Sequence, residues 1–274
     1  MVLTSTGEVL TNNHVIRGAT RIRVRIPETG RAYRASVLGY SIGADVALLK
    51  LAGASRLETV ALGSSTTVDV GAAVTAVGNA GGTGLSAKAG TVTARGVTIT
   101  VGDGLRGTVR LSRLIETSAD LRQGDSGGPL LDDASRVIGV NAAATSGAGG
   151  DSDGYAIPIN RAASIATRIR IGDSTGGVHV GPTPFLGILV APRAPESPRG
   201  IPLAGVRAGS PAAGAGMGRG DVILTLNGTV LRTSSQLVTL LLRFRPGDTV
   251  RLVWVDGVRG RVATRVSLVS GPPQ

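Results

Sequence analysis

The 274-residue chain contains no cysteine, so it has no disulfide framework, no thiol nucleophile and no thiolate metal site. Redox chemistry therefore says nothing about its compartment. Aromatic residues are scarce: Tyr33, Tyr40, Tyr155, Phe185, Phe244 and Trp254 are all there are. None is interleaved with a Lys/Arg run, as stacking on bare bases requires, which argues against a nucleic-acid function. No segment reaches the ~18 unbroken apolar residues of a membrane span. Lysine is also nearly missing, since of 29 basic residues only Lys50 and Lys88 are lysine. The net charge of +11 is thus carried by arginines spread along the chain, and a solvated arginine-rich surface accounts for it better than a polyanion partner. The opening Met1-Val2-Leu3-Thr4 lacks the basic start, apolar middle and small-residue cleavage site of an export signal.

What is present is glycine-punctuated β sequence. A chain of this length is expected to form two domains. From Val2 to Asn160, short β-rich runs recur: Val9 to Thr11, Arg21 to Ile26, Arg34 to Gly39, Val46 to Leu51, Ala73 to Gly78, Gly90 to Ala94, Val137 to Asn141 and Tyr155 to Ile159. Such spacing predicts antiparallel strands in a barrel or sandwich. Helical periodicity over Ile159 to Ile171, with Ala162, Ile165, Ala166 and Ile169 on one face, predicts a closing helix. The expected division is a β domain over 1–172, a polar, Gly/Pro-rich linker over 173–183, and a second domain over 184–271. In the second domain, β runs at Leu186 to Val190, Asp221 to Leu226 and Thr249 to Val255 surround a helix over Ser234 to Leu242, with Thr233 as its N-cap.

The strongest chemical signal is Gln123-Gly124-Asp125-Ser126-Gly127-Gly128-Pro129. A serine hydroxyl is a poor nucleophile without a base and a home for the oxyanion. Gly124 lets the backbone turn so that its own N–H and that of Ser126 can meet the developing charge, with the Asp125 N–H between them. Only two histidines are available as base. His179, in Val178-His179-Val180, reads as a linker residue; His14, in Thr11-Asn12-Asn13-His14-Val15, is the candidate general base. Asp45 opens the apolar run Val46 to Leu51, where a lone charge is costly, and is the candidate carboxylate that orients the imidazole. No metal or organic cofactor is needed for such chemistry.

These segments are similar to the motifs of trypsin-like proteases, and Thr11 to Val15 with Ala44 to Leu49 resembles the HtrA branch. The likeness runs on through Val77-Gly78-Asn79, Val137 to Asn141 and Gly154 to Pro158. The chain resembles in particular secreted or membrane-anchored HtrA-type proteases of actinobacteria, which share the GDSGGP spelling and a segment like Val178 to Thr183. The resemblance implies a mainly β fold, a double antiparallel β-barrel followed by a small α+β PDZ domain. It also implies an extracytoplasmic setting, although no signal or anchor is present in this chain. The family normally has a further strand before the position of Met1, so the first barrel is expected to lack one; relatives are often trimers, which makes a homotrimer one reading of the assembly.

Asp120 lies six residues before Ser126. In digestive trypsins a carboxylate at that spacing sits in the specificity pocket and selects basic residues; the alternative is a surface pair with Arg122. Asp125 is expected to be oriented by local backbone or by an arginine. Phe185-Leu186-Gly187-Ile188, Val206 to Ala213, Gly220 to Gly228 and Pro246 to Val250 are similar to bacterial PDZ signatures. The implied ligand is a C-terminal peptide, its carboxylate held by loop amides and its strand laid beside Ile188 to Val190, against Leu237 and Leu241; both leucines read equally well as plain core. Two functions stay open: an endopeptidase acting on protein or peptide substrates, or a catalytically idle barrel serving as a peptide-binding, chaperone-like module.

Overall fold

The protein is described from a computed structural model covering residues 1–82, 84–102, 108–146, 152–191 and 200–274. It forms two compact units, one reaching Gly181 and the other running from Pro182 to Pro272.

The first unit begins with β1 (Glu8–Thr11), the one-turn helix α1 (Asn13–Ile16), β2 (Ile22–Arg25), β3 (Ala32–Ser41) and β4 (Val46–Leu51). They form an antiparallel sheet in which β4 lies between β1 and β3, with β2 also on β3. Val46, Ala47, Leu48 and Leu49 are all buried, because both faces of β4 are covered; a continuous apolar run is what such a strand needs. A second, closed six-stranded barrel follows: β5 (Ala73–Gly78), β6 (Ser86–Gly102), β7 (Thr108–Thr117), β8 (Pro129–Leu131), β9 (Val137–Ser146) and β10 (Ser152–Pro158).

Strand β7 carries no clean alternation, and its ladder with β6 shows why. The register shifts between the pairs Val97–Leu114 and Ile99–Leu111, and Arg113 adopts φ +60° at that bulge. Extra residues there break the period of two that betrays a half-buried strand. Val74, Ala76, Val92, Ile115, Leu130 and Ile138 fill the second barrel. Leu10, Val46 and Leu48 join Leu114, Val140 and Ile157 in a core shared by both sheets.

Helix α2 (Ile159–Arg170) closes the unit, and the predicted face of Ala162, Ile165, Ala166 and Ile169 is the buried one. The segment expected as a linker is not free throughout. His179–Val180 forms β11, pairs with Tyr40 and Gly39 of β3, and makes His179 a buried residue packed 5.0 Å from the Tyr40 ring. Gly39 permits this, since a Cβ there would collide with the His179 carbonyl.

The second unit contains β12 (Thr183–Phe185), β13 (Ile188–Val190), β14 (Ile201–Val206), α3 (Pro211–Gly214), β15 (Val222–Leu226), β16 (Thr229–Val230), α4 (Ser234–Leu241), β17 (Thr249–Asp256), β18 (Gly260–Ser267) and β19 (Val269–Gly271). Its main sheet runs β13-β14-β15-β17-β18, around a core of Ile201, Leu203, Ile223, Leu252 and the fully buried Trp254. Thr233 caps α4 as the sequence predicts, its hydroxyl accepting from the Gln236 amide at 3.1 Å.

The turn joining β17 to β18 is tied by Asp256. Its carboxylate accepts from the Arg259 and Val258 amides and from the Arg259 guanidinium, which together hold its pKa down from 3.8 to about 2. A lowered carboxyl pKa stabilises the fold above the ordinary value, and that contribution disappears as pH falls through the folded one. The thermal midpoint followed by circular dichroism should therefore fall between pH about 4 and about 2. Asp256→Asn should flatten part of that fall, and an unchanged pH slope would show the carboxylate to be irrelevant.

Candidate active site

Antiparallel pairing of β1 with β4 sets Thr11 opposite Ala47, so the residues just past one strand and just before the other are neighbours. His14 and Asp45 occupy those places. Asp45 Oδ2 lies 2.7 Å from His14 Nδ1, and Asp45 Oδ1 accepts from the His14 backbone amide at 2.9 Å. With Nδ1–H donating to the carboxylate, Nε2 carries the free lone pair. The His14 side chain is 40% exposed and that of Asp45 only 7%. The imidazole thus faces out while its carboxylate stays sheltered.

Asp45 adopts φ +54°, a left-handed conformation uncommon outside glycine. Its carbonyl is held by Asn12 Nδ2 at 3.0 Å and its amide donates to Ile42 O at 3.1 Å. Asn12 is fully buried. Its part in fixing Asp45 was not legible in the sequence, where its only mark is its place two residues before His14.

The Ser126 segment is two consecutive turns. The Asp125 amide donates to Arg122 O at 3.0 Å, and the Gly128 amide to Asp125 O at 3.1 Å. Gly124 and Gly127 stand third in these turns with φ +103° and +84°, values natural to glycine. Gly127 also presses on Thr11, where a Cβ would meet the Thr11 hydroxyl, and a Cβ on Gly128 would strike Val77 O. The serine turn is thereby seated on the end of β1, three residues before His14. Ser126 Oγ donates to Ala142 O at 3.3 Å and not to His14. So His14 and Asp45 are directly joined, whereas Ser126 reaches the same region through its backbone.

The Asp125 amide is spent inside its turn, which takes it out of the expected set of oxyanion donors. The amides of Gly124 and Ser126 have no acceptor among the described residues. The Asp125 side chain, 2% exposed, accepts from Lys88 Nζ at 2.5 Å, the Arg122 amide at 2.8 Å and the Ala80 amide at 3.2 Å. Local backbone orients it, as the sequence suggests, but the cation is a lysine and not an arginine.

Asp120 meets Arg122 on the surface, with Oδ2 2.6 Å from Nη2 and 2.9 Å from Nε and the carboxylate half exposed. That hydrogen bond, and the charge behind it, raise the Arg122 pKa above its ordinary value.

Residues 1–140 match the trypsin-like peptidase domain family, and residues 184–255 the PDZ domain family. The chain is 35% identical over 251 residues to the periplasmic pH-dependent serine endoprotease DegQ of Escherichia coli, covering 90% of this chain and 54% of that protein. It is 31% identical over 258 residues to the serine protease Do-like HtrB of Bacillus subtilis, covering 88% of this chain and 54% of that one. The chain thus spans about half the length of these curated relatives. The solved structure of the HtrA-type protease AlgW with tripeptide superposes with a TM-score of 0.56 at 30% identity, covering 100% of this chain and 89% of that one. The chain belongs to the HtrA-type family of trypsin-like, PDZ-bearing proteases.

In the PDZ unit of this HtrA-type chain, Leu186 and Gly187 connect β12 to β13; Gly187 takes φ +83°, and Ser210 fills the space a Cβ would need. Ile188 opens β13, which lies at one end of its sheet. Leu186, Leu237 and Leu241 are buried in the core, so Phe185 and Ile188, both half-buried, are the members of the predicted set with surface to offer. The Arg207 guanidinium stands 5.8 Å from the Phe185 ring centroid, and its amide donates to Gly187 O at 2.7 Å.

Gly78 leaves the space that Asp125 occupies; a Cβ there would meet Asp125 Oδ1 and stand 2.6 Å from its Cα. Gly78→Ala should cost about 1–3 kcal/mol in urea unfolding as an overpacked contact beside an immobile backbone. Wild-type stability in that variant would show that the turn yields freely.

Proposed function

We propose that this chain is a serine endopeptidase acting on protein or peptide substrates through an acyl-enzyme. The observation that carries the reading is the His14–Asp45 hydrogen bond of 2.7 Å beside a glycine-built serine turn with two uncommitted amides. Rotation about χ1 releases the Ser126 hydroxyl from Ala142 toward His14 Nε2. His14 takes the hydroxyl proton as Oγ bonds to the substrate carbonyl carbon, and Asp45 stabilises the imidazolium. The Gly124 and Ser126 amides receive the oxyanion. Collapse breaks the C–N bond as His14 passes its proton to the leaving amine. Water, deprotonated by His14, then attacks the acyl carbon; the acyl C–Oγ bond breaks, His14 returns the proton to Ser126 Oγ, and the acid product leaves.

The PDZ unit serves recruitment. A C-terminal peptide adds as a strand along the outer edge of β13, which ends the sheet among the described residues, with its carboxylate at the Phe185 to Ile188 segment near Arg207. The names of the relatives, several of them periplasmic, support an extracytoplasmic setting.

Casein hydrolysis and fluorophosphonate labelling should both vanish in Ser126→Ala, and equal casein hydrolysis in the two proteins would end the endopeptidase reading. Asp45→Asn should lower kcat on the order of 10⁴-fold, because an amide in place of the carboxylate favours the wrong tautomer of His14. Asp120, half exposed and already engaged by arginine, should contribute little to selectivity. Asp120→Asn should therefore leave the ratio of kcat/KM for arginyl over valyl peptides within about twofold, and a collapse of that ratio would place Asp120 in the specificity pocket.

A further inference from the structure

We infer that Lys88 is a positioning residue for this hydrolysis: its ammonium clamps the Asp125 carboxylate and so holds the turn that presents Ser126 and the Gly124 and Ser126 amides. The inference rests on the endopeptidase reading. Asp125 is nearly enclosed, and of its three side-chain donors only Lys88 carries charge. Arg122 supplies an amide alone, its guanidinium turned to Asp120 in solvent. Without Lys88 the carboxylate would be buried with hydrogen bonds but no countercharge, an arrangement that drives a group to move, hydrate or take up a proton.

The anchor lies in a strand, whereas the carboxylate lies in a pair of turns. Lys88 projects from β6 opposite Ala76 of β5, inside the ladder of a closed barrel. Asp125 is the residue shared by the two consecutive turns, last in one and first in the other. Displacing it swings both of its neighbours, Gly124 and Ser126, which are the residues the chemistry uses. Composition points the same way. In a chain that writes arginine at 27 of 29 basic positions, lysine stands at this site, only 18% exposed, and an ammonium is a more compact cation than a planar guanidinium.

The test compares wild type, Lys88→Met, Asp125→Asn, the double variant and Lys88→Arg. Each is assayed by peptide kinetics and by the rate of fluorophosphonate labelling, with the folded fraction measured by urea unfolding. Lys88→Met should label on the order of 10²-fold more slowly per folded molecule, the loss falling on kcat and not on KM. Lys88→Arg should fall in between. The double variant should label no more slowly than Lys88→Met, because once the cation is gone the anion only adds strain. Labelling of folded Lys88→Met at the wild-type rate would overturn the inference. So would two single effects that simply multiply in the double variant. If Lys88→Met does not fold, the Asp125→Asn and double variants decide alone: equal labelling supports the pair, and a further loss on removing Lys88 refutes it. A wild-type chain that neither labels nor cleaves would count against the endopeptidase reading; the Lys88–Asp125 coupling in urea unfolding would still report the clamp separately.

Discussion

A carboxylate taken out of water must be met by donors and a countercharge, or it does not remain an anion in place. Among its described residues, the first unit of this HtrA-type chain buries two of them, Asp45 and Asp125, and the arrangement of the candidate active site follows from how each is satisfied. Asp45 is met by the ring and the backbone amide of His14, Asp125 by Lys88 and two backbone amides. Each pairing joins segments distant in sequence, 31 residues apart for the first and 37 for the ion pair of the second. The desolvation cost that makes an unpaired carboxylate unacceptable is therefore what fixes the imidazole on one sheet and the serine turn on the other.

Backbone strain and glycine placement serve those two contacts. Asp45 stays in the left-handed region because Ile42 holds its amide and Asn12 its carbonyl, fixing the peptide groups on both sides of it. The serine turn needs glycine for two separate reasons. Gly124 and Gly127 supply positive φ, whereas Gly78 and Gly128 supply missing volume, one against Asp125 and the other against Val77. A motif that looks like a single glycine-rich signature is thus a sum of conformational and steric demands from different neighbours.

Much of this was legible in the residues. The runs that became β1, β4, β5 and β9, the buried face of α2 and the Thr233 cap all follow local rules of period and hydrogen bonding. His14, Asp45 and Ser126 could be picked out because histidine is rare and the serine motif specific. Less legible were β7, whose alternation is interrupted by its bulge, and β11, whose short run becomes a strand only because β3 offers an edge and Gly39 makes room. Lys88 and Asn12 were silent as well, because neither sits in a chemical motif of its own.

Composition and local pattern alone pointed to a β-rich, two-part chain and offered a serine, a histidine and an aspartate as candidates for a hydrolytic site. Those features depend on side-chain type and short-range spacing, which a sequence displays directly. The tertiary structure decided which cation meets Asp125, which amides of the serine turn stay free, and that Asp120 is spent on Arg122 at the surface. It also decided that the hydroxyl of Ser126 rests on Ala142. Each of these is a choice among several donors or acceptors of the same kind, and only distance and burial in the folded chain discriminate between chemically equivalent partners.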